Sequence, residues 1–176
     1  MRTYQFQPPR YTYSDYKNWK EDWELVNGYP YQLLPSASPR HSKIIGKLII
    51  QAGNSLSKNV DCNCAVFPEL DYKINEETVV RPDIMIVCGE PKNEVLEFPP
   101  VLIIEILSPY NLKNERVIKF DIYRENGVKY YLMVDVQKET VEVYQLIDNF
   151  YKLVPISIFE LDKNCQMELD MEQIWK

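Results

Sequence analysis

The sequence predicts an α/β fold built on a β-sheet of mixed direction, with a helix and a hairpin leading into it. Two apolar runs, Ile84-Met85-Ile86-Val87-Cys88 and Val101-Leu102-Ile103-Ile104-Glu105-Ile106-Leu107, offer almost no polar alternation and read as strands buried on both faces. A periodic apolar arc after Ser38-Pro39 reads as a helix able to cover such strands. The predicted order of helix, hairpin, helix, strands, helix and strands is that of strands and helices packed in layers.

At 176 residues the chain fits a single domain spanning 1–176, large enough to bury a core. Its twelve prolines and five glycines are dispersed, so no linker divides it, and no internal repeat is visible. Met1 to Gln5 carries no continuous apolar core and no stretch approaches the roughly 18 apolar residues of a membrane span, so a cytoplasmic protein without membrane contact is expected. The net charge of −6 does not favour nucleic acid, although a local basic patch can still hold phosphates. Cys62, Cys64, Cys88 and Cys165 are too scattered for a disulfide scaffold. Cys62 and Cys64 form only a C-x-C, with no second pair or histidine at zinc-finger spacing. Four reduced, mainly structural thiols are therefore expected.

Thr12-Tyr13-Ser14-Asp15 pairs an N-cap with an acid three residues on, predicting a short helix from Tyr13 to Lys20. Asn27-Gly28 lies between Trp23-Glu24-Leu25-Val26 and Tyr29-Pro30-Tyr31-Gln32-Leu33-Leu34, a strong hairpin signal, with Pro30 placing the second strand at an edge. Ser38 caps the next helix, whose apolar arc holds Ile44, Ile45, Leu48, Ile49, Ala52 and Leu56 and which ends near Ser57 to Asn59. The only histidine, His41, projects onto that arc. Ala65 to Phe67, Leu70 to Ile74 and Val79-Val80 read as strands, and a polar loop from Gly89 to Pro100 joins the two apolar runs. A helix from Leu112 to Asn126 follows, stopped by Gly127, and Tyr130 to Val134 is another buried strand. Val141 to Leu146 and Tyr151 to Val154 form a hairpin across Asp148-Asn149, and Asp170 to Trp175 reads as a helical turn docking through Trp175.

Within this outline three charges stand where charge is costly. Glu105 interrupts an apolar run, and an ionised carboxylate there must be paired or coordinated. Asp83 begins the neighbouring run, placed by Pro82. Two carboxylates on adjacent buried strands suggest a site for a hard divalent cation. On the following helix Lys119 projects into the arc of Leu112, Phe120, Ile122 and Tyr123, with Arg116 beside it. Lysine is almost never buried unpaired, so the two acids are its natural partners; the alternative is a side chain that snorkels to water.

These features resemble the PD-(D/E)xK nuclease superfamily, in which an acid after proline, a second acid on the next strand and a lysine form the site. In the usual motif the lysine stands two residues after the second acid, where this chain has Leu107. The chain resembles the Uma-two branch of restriction-type endonucleases, in which the lysine has migrated to the next helix. The matching segments run from Tyr11 to Val136 in the family's order: Tyr11-Thr12-Tyr13-Ser14-Asp15-Tyr16, Trp23 to Gly28, Ser38-Pro39-Arg40-His41, Val80-Arg81-Pro82-Asp83, Ile104 to Pro109, Lys119 with Tyr123, Gly127-Val128, and Tyr130 to Asp135. The family usually has tryptophan at the place of Tyr131 and a more regular arginine/aspartate pattern than Asn114-Glu115-Arg116.

The resemblance implies a restriction-endonuclease-like mixed sheet flanked by helices and a metal-dependent endonuclease that hydrolyses phosphodiesters of DNA. By it, Asp83, Glu105 and the backbone carbonyl of Ile106 would ligate Mg²⁺ or Mn²⁺, and Lys119 would orient or deprotonate the attacking water. Glu24 would complete the site through water, its alternative being a solvent-facing strand residue. His41 would serve as a base or phosphate contact at a helix N-terminus, its alternative being a hydrogen-bonded core residue. Glu69, Asp71 and Asp135 are expected to be solvated or structural, and Arg116 a phosphate contact or ion-pair partner. The resemblance also implies a homodimer. The competing reading is a catalytically silent nuclease fold that binds DNA or protein, which the displaced lysine and acidic balance favour; a metal-dependent hydrolase of another substrate is a third.

Overall fold

The computed structural model describes residues 8–33, 38–107 and 114–176. Twelve strands and three helices fall in the order α1 (Tyr13–Tyr16), β1 (Trp23–Val26), β2 (Tyr29–Gln32), α2 (Pro39–Leu56), β3 (Cys64–Pro68), β4 (Tyr72–Asn75), β5 (Thr78–Val80), β6 (Ile84–Cys88), β7 (Leu102–Leu107), α3 (Asn114–Glu125), β8 (Tyr130–Asp135), β9 (Thr140–Ile147), β10 (Phe150–Leu153), β11 (Ile158–Asp162) and β12 (Cys165–Glu168) among the described residues. The predicted mixed α/β sheet is the fold observed.

The main sheet has the order β10-β9-β8-β7-β6-β3 and is antiparallel except for β7 and β8. Parallel neighbours need a crossover, and α3 supplies it. Both apolar runs lie inside this sheet, and alternate residues on them face opposite layers. Ile84, Ile86, Leu102, Ile104 and Ile106 meet Ile44, Leu48, Ala52 and Leu56 of α2 together with Phe159 and Met167 of the β11–β12 hairpin. Met85, Val87 and Ile103 face the other way, toward Tyr123 of α3 and Val26, Tyr72 and Val80 of a smaller sheet. That second sheet has the order β2-β1-β5-β4, and its outer face is closed by Tyr16, Leu25 and Val79 with Trp19 and Trp23 around them.

The turn signals act as expected. Asn27 and Gly28 both have positive φ, at 50° and 79°, which is what a two-residue hairpin requires. Pro30 lies in β2, an edge strand, where its missing N–H costs no ladder bond. Ser38 accepts from the backbone N–H of His41 at 3.2 Å and starts α2. The first helix is shorter than expected and stops at Tyr16, since Tyr16 and Trp19 turn inward to cover the small sheet.

Three expectations change. β11 and β12 form a hairpin that periodicity did not single out, and it covers one end of α2. The C-terminal turn docks through Ile174, 1% exposed, with Trp175 only partly covered. The cysteines, expected as thiols, are paired as Cys62–Cys165 and Cys64–Cys88. Sequence spacing conceals this, because the first pair is 103 residues apart and is joined only when β12 packs beside α2. Cys64 and Cys88 are direct register partners across β3 and β6. The expected start of α3 at Leu112 and the closing Ser108-Pro109 lie outside the described residues. No helix among them is long and apolar enough to cross a membrane.

Candidate active site

Register brings the two strand acids together. β6 and β7 pair antiparallel as Ile84↔Ile104 and Met85↔Ile103, so one further step sets Asp83 opposite Glu105 on the α3 side of the sheet. The backbone N–H of Ile106 donates to Asp83 Oδ2 at 2.6 Å, holding that carboxylate against β7. Ile106 thus meets Asp83 through its N–H, whereas the resemblance concerned its carbonyl.

Glu24 enters from the small sheet. It shares with Val26 the face of β1 that turns toward the main sheet, because residues two apart in a strand point the same way. Its side chain is 2% exposed, so the solvent-facing reading fails. Glu24 Oε1 accepts from the backbone N–H of Arg81 at 2.8 Å. Arg81 in turn is held by Asp71 at 2.7 Å and Asp22 at 2.6 Å, and Asp71 also accepts from the Tyr16 hydroxyl at 2.9 Å. This outer network fixes the segment just before Pro82-Asp83.

The third component comes from α3. Lys119 Nζ lies 2.7 Å from Glu24 Oε1 and 3.1 Å from Glu105 Oε1, and its side chain is 9% exposed. The helix-face reading of Lys119 is therefore correct, and snorkelling to water is not what it does. One turn later Tyr123 donates its hydroxyl to the same Glu105 Oε1 at 2.7 Å. Positions i and i+4 share a helix face, so one face of α3 delivers both donors to one carboxylate. Tyr123 had no site role in the sequence reading; its spacing from Lys119 was the available signal.

His41 arrives from the opposite face of the main sheet, where α2 packs. Its Nε2 lies 3.6 Å from Asp83 Oδ1 at the end of β6. The Asp83 carboxylate holds the imidazole pKa above its ordinary value against the effect of burial, and Glu69 and Glu105 add to the lift. Glu69 is carried close by its backbone, whose N–H donates to the Asp83 carbonyl at 3.2 Å. Asp135 is structural: it accepts from the backbone N–H groups of Gln137 and Lys138, both at 3.1 Å, and closes the turn after β8. The side chain of Arg116 lies outside the described residues.

Five expected site residues, Asp83, Glu105, Lys119, Glu24 and His41, thus converge from β1, β6, β7, α2 and α3. Burial, only partly answered by Lys119, pushes the Glu105 carboxyl up to about 7, with Asp83 and Glu24 adding to the rise and the Tyr123 hydrogen bond opposing it. Both described contacts to Glu105, from Lys119 and Tyr123, fall on Oε1. Among the described residues, the three carboxylates of Asp83, Glu105 and Glu24 stand here against the Lys119 ammonium and the His41 imidazole. Hard divalent cations take such donors, and surplus negative charge of this kind is what a cation relieves.

A mixed sheet with paired acids on neighbouring inner strands and a lysine delivered to them from the crossover helix defines a protein of the nuclease-fold class. The chain belongs to the Uma2 family, described as "Putative restriction endonuclease", whose model matches residues 10–175. Among solved structures it is similar to a protein from Anabaena variabilis ATCC 29413 described as a putative nuclease belonging to DUF820. The TM-score is 0.74 at 16% identity, over 93% of this chain and 97% of that one, a likeness of fold. No curated protein matches the chain.

Proposed function

We propose that this protein is a metal-dependent endonuclease that hydrolyses phosphodiester bonds of DNA with water as nucleophile. The observation that carries the reading is the placement of Lys119: a buried ammonium from a separate helix, 3.1 Å from the strand carboxylate Glu105. Asp83 and Glu105 would hold Mg²⁺ or Mn²⁺ through their carboxylate oxygens, the donors such ions take. The bound cation would supply Lewis acidity to a phosphate oxygen and lower the pKa of water.

The chain's own groups divide the remaining work. Lys119 places positive charge where charge grows on the phosphate, in a site largely closed to water. Glu24 and Glu105 hold it aimed, and Tyr123 locks the rotamer of Glu105. His41, with its raised pKa and partial exposure, stands at the solvent edge, where it can hold a proton beside Asp83 for the departing oxygen. The protein is further proposed to be cytoplasmic and to act as a homodimer.

One observation favours a second reading, a silent nuclease fold that binds nucleic acid: Lys119 is bonded to two acids at once, as in a purely structural ion pair. Supercoiled plasmid DNA incubated with Mg²⁺ or Mn²⁺ separates the two. Nicking by the wild type that disappears in Asp83→Asn and Lys119→Met supports the nuclease. DNA retardation without nicking supports the silent fold, and nicking that persists in both variants overturns the assignment of the site.

A further inference from the structure

The four cysteines, from three separate segments, meet at one corner at the other end of β6. Cys64 and Cys88 face each other across β3 and β6, with Cα atoms 3.9 Å apart. Cys62 and Cys165 have Cα atoms 4.9 Å apart. The sulfurs of Cys62, Cys64 and Cys165 all lie within 4.8 Å of one another, and Cys88 is joined to Cys64.

The corner is held by bonds that do not involve sulfur. The backbone N–H of Gly89 donates to the Asn63 carbonyl at 2.8 Å, tying the start of β3 to the end of β6. Asn59, just past α2, donates to the Gln166 carbonyl at 2.9 Å and accepts from the Gln166 N–H at 3.3 Å, tying β12 to the same place. Cys165 is 2% exposed within the main core and the other three cysteines pack against that core. Opening the disulfides would therefore leave four thiols gathered at a partly covered corner, with Cys165 buried and the other three half-buried.

We propose that this corner is a second metal site, a four-thiolate site for a soft d¹⁰ cation such as Zn²⁺, closed by oxidation into the two disulfides. A tetrahedral Zn²⁺ with bonds of about 2.3 Å holds its sulfurs roughly 3.8 Å apart, a spacing the three clustered sulfurs reach by small side-chain rotations. In the opening step each disulfide takes two electrons and two protons from a dithiol, which leaves as its own disulfide. Four protein thiols result, and binding one Zn²⁺ releases their four protons to solvent. Two equivalents of a small-molecule disulfide reverse the sequence: two protein disulfides form, four small thiolates leave and take up four protons from solvent, and the cation is released. The site lies roughly 17 Å from Asp83, five strand residues along β6, and does not depend on the nuclease reading.

The test uses the full-length protein reduced with a phosphine, which does not compete strongly for zinc, and titrated with Co²⁺. The expected result is one cobalt per chain with sulfur-to-cobalt charge-transfer absorption, displaced one for one by Zn²⁺ and absent from the oxidised protein. Cobalt held by the oxygen donors of Asp83 and Glu105 gives no such absorption, so Asp83→Asn retains the spectrum. Cys88→Ser and Cys165→Ser each weaken zinc binding by at least about tenfold. Alkylation read by mass spectrometry checks wild type without any variant: four thiols react in the reduced protein and zinc protects all four. No charge-transfer band, or alkylation unaffected by zinc, overturns the proposal.

Discussion

Strand β6 ends in two different chemistries. At its first end, oxygen atoms gather from β1, β6 and β7 around Lys119, while at its last end sulfur atoms gather from β3, β6 and the start of β12. Both gatherings rest on the same device, antiparallel register, which sets Asp83 beside Glu105 and Cys64 beside Cys88. They differ in how the cost of burial is met. Carboxylates lose hydration and need a partner of opposite charge from another element, so the oxygen end depends on α3 and β1 arriving in place. Sulfur is nearly apolar and needs no such partner, so the cysteine end belongs to the hydrophobic core itself. The oxygen end should be electrostatically fragile and the sulfur end covalently robust.

The largest effect is expected at the centre of the oxygen end. Lys119→Met leaves Glu24 and Glu105 facing each other in a buried site without the ammonium, a loss of about 3–5 kcal/mol in stability. Urea unfolding measures it, and a loss below about 1 kcal/mol would show that the pair is no more than a surface contact. Asp83→Asn is milder for the fold, since the amide oxygen still accepts from Ile106, yet it should lower DNA nicking by at least about 100-fold. In wild type, Mn²⁺ at about 100 times its dissociation constant should add about 2.7 kcal/mol to stability, an increment absent from Asp83→Asn.

At the sulfur end, reduction of the bridges should cost about 2–4 kcal/mol each, with plasmid nicking unchanged at a temperature where the protein stays folded. A Cys165→Ala protein that folds but no longer nicks would join the two ends and break the comparison. Tyr123→Phe, smaller again, removes a hydrogen bond to Glu105 and should cost about 1.5–3 kcal/mol above pH 7, where that carboxyl is ionised. It also removes an influence that lowers the Glu105 pKa, so that value rises beyond about 7. Because Glu105 is raised above 4.5, the folded state holds a proton the unfolded chain has released, and stability falls as pH rises from 4.5 through 7. In Tyr123→Phe the fall should extend to higher pH.

The smallest effect is expected from His41→Asn. The imidazole pKa lies above 6.5 in the fold, so the pairing with Asp83 contributes fully below pH 6.5 and is lost as pH rises through the folded value. The difference in Tm between wild type and His41→Asn should therefore shrink as pH increases. A difference that widens would remove His41 from the site.

The sequence alone determined most of the elements, though not the β11–β12 hairpin, and the residues of greatest electrostatic cost. Glu105 in an apolar run and Lys119 in an apolar helix arc are local anomalies, and periodicity reveals them because burial and charge conflict within a few residues. Asn27-Gly28, Ser38-Pro39 and Gly127 likewise encode their turns and caps in local backbone preference. Tertiary structure decided who meets whom. It turned Glu24 from an undecided strand residue into the direct partner of Lys119, because only the docking of β1 over the main sheet brings the two within 2.7 Å. It gave Tyr123 to Glu105, and it joined Cys62 to Cys165 across 103 residues that no spacing rule connects. The physical reason is common to all three. A buried polar or sulfur atom is completed by whichever element packs against it, and packing is a property of the folded sheet and its layers, not of neighbouring residues in the chain.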